Sequence, residues 1–275
     1  GAIHSYTLTL SAEGLAVTNT TVEPWTTLDK GSLTLEKVGM TWENAPNGIY
    51  AVSETGEPVS LEDADESCIG VALIVNDAPT PQRLMIEKNG EANTVSIKAA
   101  YTADGATTTG YIDFLWGPSG TDVSSIITWT ENGDIPITTD YTTWSSTNKN
   151  CAWNDFNGKS NTVALLNVTD SDSDKLCAYI ATYCKIFNET ATENQGYTDW
   201  YIPACGQLAL IYINLTEINA TLTKIGGTKF GTYADYYWSS SEYSTVSGLR
   251  VNFTNGIIYK GDKRSGDRVR FVRDL

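Results

Sequence analysis

The chain has 275 residues, with 33 Asp and Glu against 18 Lys and Arg and a single His, for a formal charge of −15. This acid excess excludes a nucleic-acid partner, because a phosphate-reading surface needs a basic face to gain from counterion release. Hydrophobic residues at 41 % and aromatics at 11 % exclude a disordered chain, and the length allows one large domain or two ordinary ones.

No stretch approaches the ~20 apolar residues of a membrane span. Gly1-Ala2-Ile3-His4 lacks the basic-then-apolar start of a signal peptide. A chain rich in Thr, Ser, Asn, Gly and aromatics and poor in Lys and Arg reads as exported, with any export signal already removed.

In chain order, His4 to Leu10 and Ser32 to Val38 alternate with period two, with Pro24 and Gly31 as punctuation between them. Two or three strands hold no core alone, so residues 1–43 are expected to form a small β segment or linker that packs on something. The texture changes at Asn44-Ala45-Pro46-Asn47-Gly48, and residues 44–275 read as the main domain. Ile49 to Val52 is a short strand, and Ile69 to Val75 with Arg83 to Glu87 outlines a hairpin. From Ala103 to Tyr141 the chain is loop-rich.

Two helices are predicted next. Leu176, Ile180, Tyr183 and Phe187 repeat at helical spacing behind a Ser171-x-x-Asp174 cap, which places a helix over about 172–187. After Pro203, a stripe of Leu208, Ile211, Tyr212, Leu215, Ile218 and Leu222 runs to Gly226-Gly227, where a left-handed cap is easy. The tail returns to strands: Leu249, Val251 and Phe253 face one way and Arg250, Asn252 and Thr254 the other. Asn255-Gly256 signals a tight hairpin turn into Ile257-Ile258-Tyr259. Val269 and Phe271 then alternate with Arg268 and Arg270. Strands, two helices and a terminal hairpin meander define an α+β order.

Searches for chemistry return little. One histidine, at the N-terminus, excludes multi-histidine zinc sites and argues against a Ser-His-Asp triad. There is no GxGxxG, Walker loop or HExxH, so no cofactor and no resident metal are expected. Cys68, Cys151, Cys177, Cys184 and Cys205 are odd in number and lack CxxC spacing, and read as buried small hydrophobes. Cys177 and Cys184 lie about 10.5 Å apart along a helix axis, too far to bridge. The acidic run Glu62 to Glu66 reads as a solvated loop in preference to a Ca²⁺ site, and Asp170, Asp172 and Asp174 as helix-start acids. Trp153-Asn154-Asp155 also occurs in Ca²⁺-binding animal lectins. Here it lacks the companion Glu-Pro-Asn and precedes the first long helix, so it is taken as coincidence.

From Leu249 to Leu275 seven basic residues meet three acids, so the tail is net +4 on a body of −19. Two readings stay open: the tail docks internally on the acidic body, or it is a presented surface of Tyr, Ser, Asn, Gly and Arg, the residues of antibody paratopes.

A set of motifs resembles a known group. Gly196-Tyr197-Thr198-Asp199-Trp200-Tyr201-Ile202-Pro203, the helix ending Ile225-Gly226-Gly227, Tyr237-Trp238-Ser239-Ser240-Ser241-Glu242-Tyr243, Val251-Asn252-Phe253, Asn255-Gly256 and Arg268 to Arg273 are its core. Asn47 to Tyr50, the Ile69 to Ile86 hairpin, Trp116-Gly117 and Asp155 to Gly158 extend it over about 44–275. These are similar to bacterial C-type-lectin-fold proteins of the group related to the Legionella collagen-like protein C-terminal domain, which includes variable proteins of diversity-generating retroelements.

The resemblance implies a C-type lectin-like fold with two helices flanking antiparallel sheets. It also implies ligand binding by the last loops and hairpin, without catalysis. The matching variable positions are Ser244, Ser247, Arg250, Asn252, Thr254, Ile257, Tyr259, Gly261, Asp262, Arg264, Ser265 and Asp267, all residue types that adenine-directed mutagenesis can reach. Leu249 stands where relatives often carry Trp, and Phe271 where many carry Pro; both stay apolar. The implied function is a surface-displayed adhesin, pilus-tip or phage receptor-binding protein, extracellular or on a phage particle. Its partners would be a surface protein or glycan, or pilus or fibre subunits. The alternatives are a purely structural pilus or phage-fibre subunit, and an enzyme of the formylglycine-generating type. No cysteine pair or metal cluster on the tail carries that chemistry over.

Overall fold

The computed structural model describes residues 2–11, 14–24, 40–90, 114–123, 129, 151–169, 179–189, 195–231 and 236–275. Two compact units emerge, Gly1–Pro46 and Asn47–Leu275. In the first, β1 (Ala2–Ser11) and β2 (Gly14–Pro24) pair antiparallel with a bulge between Thr7 and Leu8. β1 covers the expected strand at His4 to Leu10. β2 escaped the alternation test, yet its Thr and Val residues favour extended backbone. The expected strand at Ser32 to Val38 lies outside the described residues.

The second unit is α+β. Strands β3 (Gly48–Val52), β4 (Pro58–Val59), β5 (Gly70–Val75), β6 (Gln82–Glu87) and β10 (Val272–Asp274) form an antiparallel sheet in the order β10-β6-β5-β3-β4. β5 is buried along its whole length, as its unbroken apolar run requires of a central strand. β5 and β6 are the predicted hairpin. Strands β7 (Tyr236–Ser244), β8 (Ser247–Asn252) and β9 (Ile257–Asp262) form a second antiparallel sheet.

The described residues contain four α-helices where two were expected: α1 (Gly158–Thr169), α2 (Ile180–Glu189), α3 (Cys205–Ile213) and α4 (Leu215–Lys224). α1 was not among the expected elements, because its Gly, Ser, Asn and Thr residues give no strong helix signal. α2 holds Ile180, Tyr183 and Phe187 of the predicted stripe, all buried, and continues to Glu189, but it starts at Ile180 and not near 172, because Tyr179 forms a β-bridge with Leu115 and the Ile180 N–H reaches the Leu115 carbonyl at 2.9 Å; the Ser171 cap and Cys177 lie outside the described residues. The single helix expected after Pro203 is two. Asn214 breaks it: its N–H and side-chain amide both reach the Leu210 carbonyl, at 3.3 and 2.9 Å, and its own carbonyl accepts from Ile218 to start α4. The end of α4 follows expectation. Gly226 adopts φ +72, Gly227 N–H reaches the Leu222 carbonyl at 2.7 Å, and Gly226 N–H the Thr223 carbonyl at 3.2 Å. This double closure satisfies the last helix carbonyls.

Two departures concern the tail. The β8–β9 turn is a four-residue loop, with Asn252 paired to Ile257, so Phe253 sits in the turn yet stays buried. Residues 269–271 are not a strand, and Arg270 is as buried as Val269 and Phe271 instead of facing out. β10 then returns to β6, and Tyr201 pairs with Val272 through backbone bonds of 2.8 and 3.0 Å.

Candidate functional site

The sheet β7-β8-β9 carries the candidate face. One side, with Tyr237, Leu249, Val251 and Ile258, is fully buried in the core. On the other side Trp238, Arg250 and Tyr259 stand in one cross-strand row, as do Tyr236, Asn252 and Ile257. Two tryptophans cover one end of that side. A Cβ on Gly248 would lie 2.5 Å from the Trp116 ring, and one on Gly261 2.6 Å from the Trp238 ring, so only glycine admits either ring there. The indole N–H groups donate to the Ser239 and Phe114 carbonyls at 2.8 and 2.7 Å.

The other end stays half-exposed. The Arg250 guanidinium lies 4.1 Å over the Tyr236 ring and donates to Asp267 at 2.7 Å, and Tyr236 meets Tyr259 edge-on at 6.0 Å. Stacking and ion pairing together fix Arg250, so the two tyrosines and the arginine form a preformed patch. The neighbouring turn is pinned as well. Asp262 accepts from the Arg264 backbone N–H at 2.9 Å and from its guanidinium at 3.1 and 2.9 Å, while the Ser265 N–H reaches the Asp262 carbonyl at 2.8 Å. The bonds from Arg264 hold the Asp262 carboxyl down to about 2.

Of the twelve sequence-derived positions, Ser244, Ser247, Arg250, Ile257, Tyr259 and Ser265 are half-buried, and Thr254, Asp262 and Arg264 are exposed. The other three are buried. Asn252, expected on the outward face, turns its side chain into the loop and accepts from the Thr254 N–H at 2.7 Å. Asp267 is held by Arg250, and Gly261 seats Trp238. Tyr236 joins the patch although the sequence reading did not single it out; its two-residue spacing from Trp238 on a strand was the available signal.

The basic tail docks in part on the body. Arg250, Lys263, Arg264, Arg270 and Arg273 all pair with carboxylates, three of them on Glu242, Glu87 and Asp199 outside the tail. Lys263 and Glu242 have no exposed side-chain surface. The Lys263 ammonium also donates to the Thr121 carbonyl at 2.8 Å and lies 4.6 Å from the Trp116 ring; Glu242 accepts from the Val123 N–H. Burial pushes the Glu242 carboxyl up and the Lys263 ammonium down, and their contact opposes both shifts. Lys260 lies over the Tyr243 ring at 5.1 Å.

The remaining motifs hold the fold. Asp155 is fully buried and accepts from Asn157 backbone and side chain, from Asn161 and, at 2.6 Å, from Ser241. Its acceptor capacity is used within the protein. In the acidic loop, Lys224 donates to the Leu61 and Glu62 carbonyls and Lys88 to those of Glu66 and Cys68. Among the described residues no group of three or more His, Cys, Asp or Glu could hold a metal, and no helix is long and apolar enough to cross a membrane. Cys68, Cys151, Cys184 and Cys205 are free and buried, as expected of small hydrophobes.

No protein-family model and no curated protein matches the chain. Among solved structures it is similar to a fimbrial protein from Bacteroides ovatus, at 19 % identity and a TM-score of 0.50 over 84 % of this chain and 49 % of that one. The chain thus spans about half the length of that structure, and the likeness is one of α+β fold.

Proposed function

We propose that this is a non-enzymatic, surface-displayed ligand-binding protein of adhesin or pilus-tip type, using the outer side of β7-β8-β9 and the turns at its ends. The observation that carries the reading is the patch of Tyr236, Arg250 and Tyr259, half-exposed on strands whose opposite side is solid core. Tyr and Arg dominate binding hot spots, and a side chain already fixed loses little freedom on binding. The partner would be a surface protein or glycan. The solved fimbrial protein supports a pilus setting for such a domain.

In this reading the C-type lectin-like character and the hypervariable segment remain part of the proposal. On the second, the proposal is that variation falls at the nine half-buried or exposed positions and not at the buried Asn252, Gly261 or Asp267. The test is adherence of the labelled protein to bacterial and epithelial cells. Tyr259→Ala and Arg264→Ala should lower adherence while the melting temperature stays nearly unchanged. A large loss of stability, or undiminished adherence of both variants, would sink the reading.

A further inference from the structure

A second recess lies away from this face, where the start of β6, the start of α1, α3 and β10 converge. It is an open cleft of about 380 Å³, within the roughly 300–1,000 Å³ typical of small-molecule sites. At its base Gln207 is buried, with every hydrogen-bonding group fixed. Its Oε1 accepts from the Ala204 N–H at 3.0 Å, and its Nε2 donates to Gln82 at 2.8 Å and to the Tyr201 hydroxyl at 3.1 Å.

This fixes the direction of the next bond. The Tyr201 oxygen accepts from Gln207, so its proton goes to Asp274 Oδ1 at 2.6 Å. Burial first, and then that carboxylate, push the phenol up, so the O–H is kept. Asp274 Oδ2 meets the Lys159 ammonium at 3.2 Å, and these two side chains are 54 % and 60 % exposed. A carboxylate with two of about four acceptor sites spare thus stands beside an ammonium with N–H groups to spare, both presented to the cleft. The half-buried Phe156 ring lines the same cleft, above the buried Tyr201.

We propose that this cleft binds a carbohydrate, a mono- or disaccharide unit of a glycan. A neighbouring acceptor and donor match vicinal hydroxyls, which donate and accept together. The Phe156 ring suits the C–H side of a pyranose. The local pair is neutral, which disfavours strongly charged ligands. A second hollow of about 690 Å³ shares Lys159, Val163 and Tyr201 with the cleft, so a longer chain would have a neighbouring recess to meet.

The inference is independent of the β7-β8-β9 reading, since the two sites share no residue. Amide NMR titration of the isotope-labelled chain with glucose, galactose, mannose, N-acetylglucosamine and lactose at millimolar concentration tests it. At least one sugar should give saturable shifts at 156–163 and 201–207. Lys159→Ala, at an exposed position, should weaken binding about tenfold, the worth of one charge-assisted hydrogen bond. Tyr259→Ala should leave it unchanged. The proposal is overturned if no sugar shifts the cleft amides, or if Lys159→Ala and Asp274→Asn both bind like the native chain.

Discussion

Replacing Glu242 by Gln removes the paired carboxylate from the Lys263 ammonium in a site with no exposed side-chain surface, where the Thr121 carbonyl, the Trp116 ring and the nearby Asp122 carboxylate remain to compensate it. Removing one partner of such a pair costs about 3–5 kcal/mol. At about 2–4 °C per kcal/mol in a domain of this size, the melting temperature should fall by roughly 6–20 °C. Lys263→Met keeps the contact with Trp116 but leaves the buried carboxylate, among the described residues, with the Val123 N–H as its hydrogen-bond donor. The double variant removes both buried charges, so its loss should be smaller than the sum of the single losses by about 1–3 kcal/mol.

Lys263→Met also carries a pH signature. Without the ammonium, burial holds the Glu242 carboxyl above its ordinary 4.5, so the unfolded chain releases its proton first. The deficit against the native chain should therefore be smallest near about pH 4 and widen toward neutrality. Thermal and urea unfolding followed by circular dichroism reads all of this. Single losses below about 1 kcal/mol, or strictly additive ones, would refute the assignment of a coupled buried pair.

The two kinds of position on the tail should separate cleanly. Gly261→Ala forces a Cβ against Trp238 and should cost about 1–3 kcal/mol, whereas Thr254→Ala should stay within about 0.5 kcal/mol in the same unfolding assay. Equal losses would mean that the turn and the glycine seat are not distinguished as described. The Asp262 carboxyl should titrate near 2 by carbon-detected NMR and return toward its ordinary 3.8 in Arg264→Ala. Any stability it contributes is present above 3.8 and lost as the pH falls toward 2. Burial pushes the Cys205 thiol up to about 12 and raises that of Cys184, so both should resist iodoacetamide at about pH 8 until the protein is unfolded. Rapid native alkylation by peptide mass spectrometry would contradict this burial.

What the sequence disclosed depended on how local each signal was. The β5–β6 hairpin was legible because an unbroken apolar run can only be a buried strand or helix core, and a Pro-containing turn decided between them. The end of α4 was legible because Gly226 is the residue that a left-handed cap demands. α1 was not: no acid stands in its first turn, and its entry is organised by Asp155 reaching Asn157, Asn161 and the distant Ser241. Arg270 defeated the alternation rule for a similar reason. Its partners are the Glu87 and Thr228 carbonyls, at 3.0 and 2.9 Å, and the Phe230 ring, all remote in sequence. The candidate face was legible as a strand with two sides. Which positions on it are load points was not, because Trp116 reaches Gly248 from more than a hundred residues away.

The central claim is that ligand specificity sits on positions the core does not use. Deep sequencing of the coding region for 240–270 across natural copies of the gene tests it most directly. The account predicts substitutions concentrated at Ser244, Ser247, Arg250, Thr254, Ile257, Tyr259, Asp262, Arg264 and Ser265. Glu242, Gly248, Leu249, Val251, Phe253, Gly261, Lys263 and Val269 should stay fixed. An invariant segment, or substitutions spread evenly over buried and exposed positions, would contradict it.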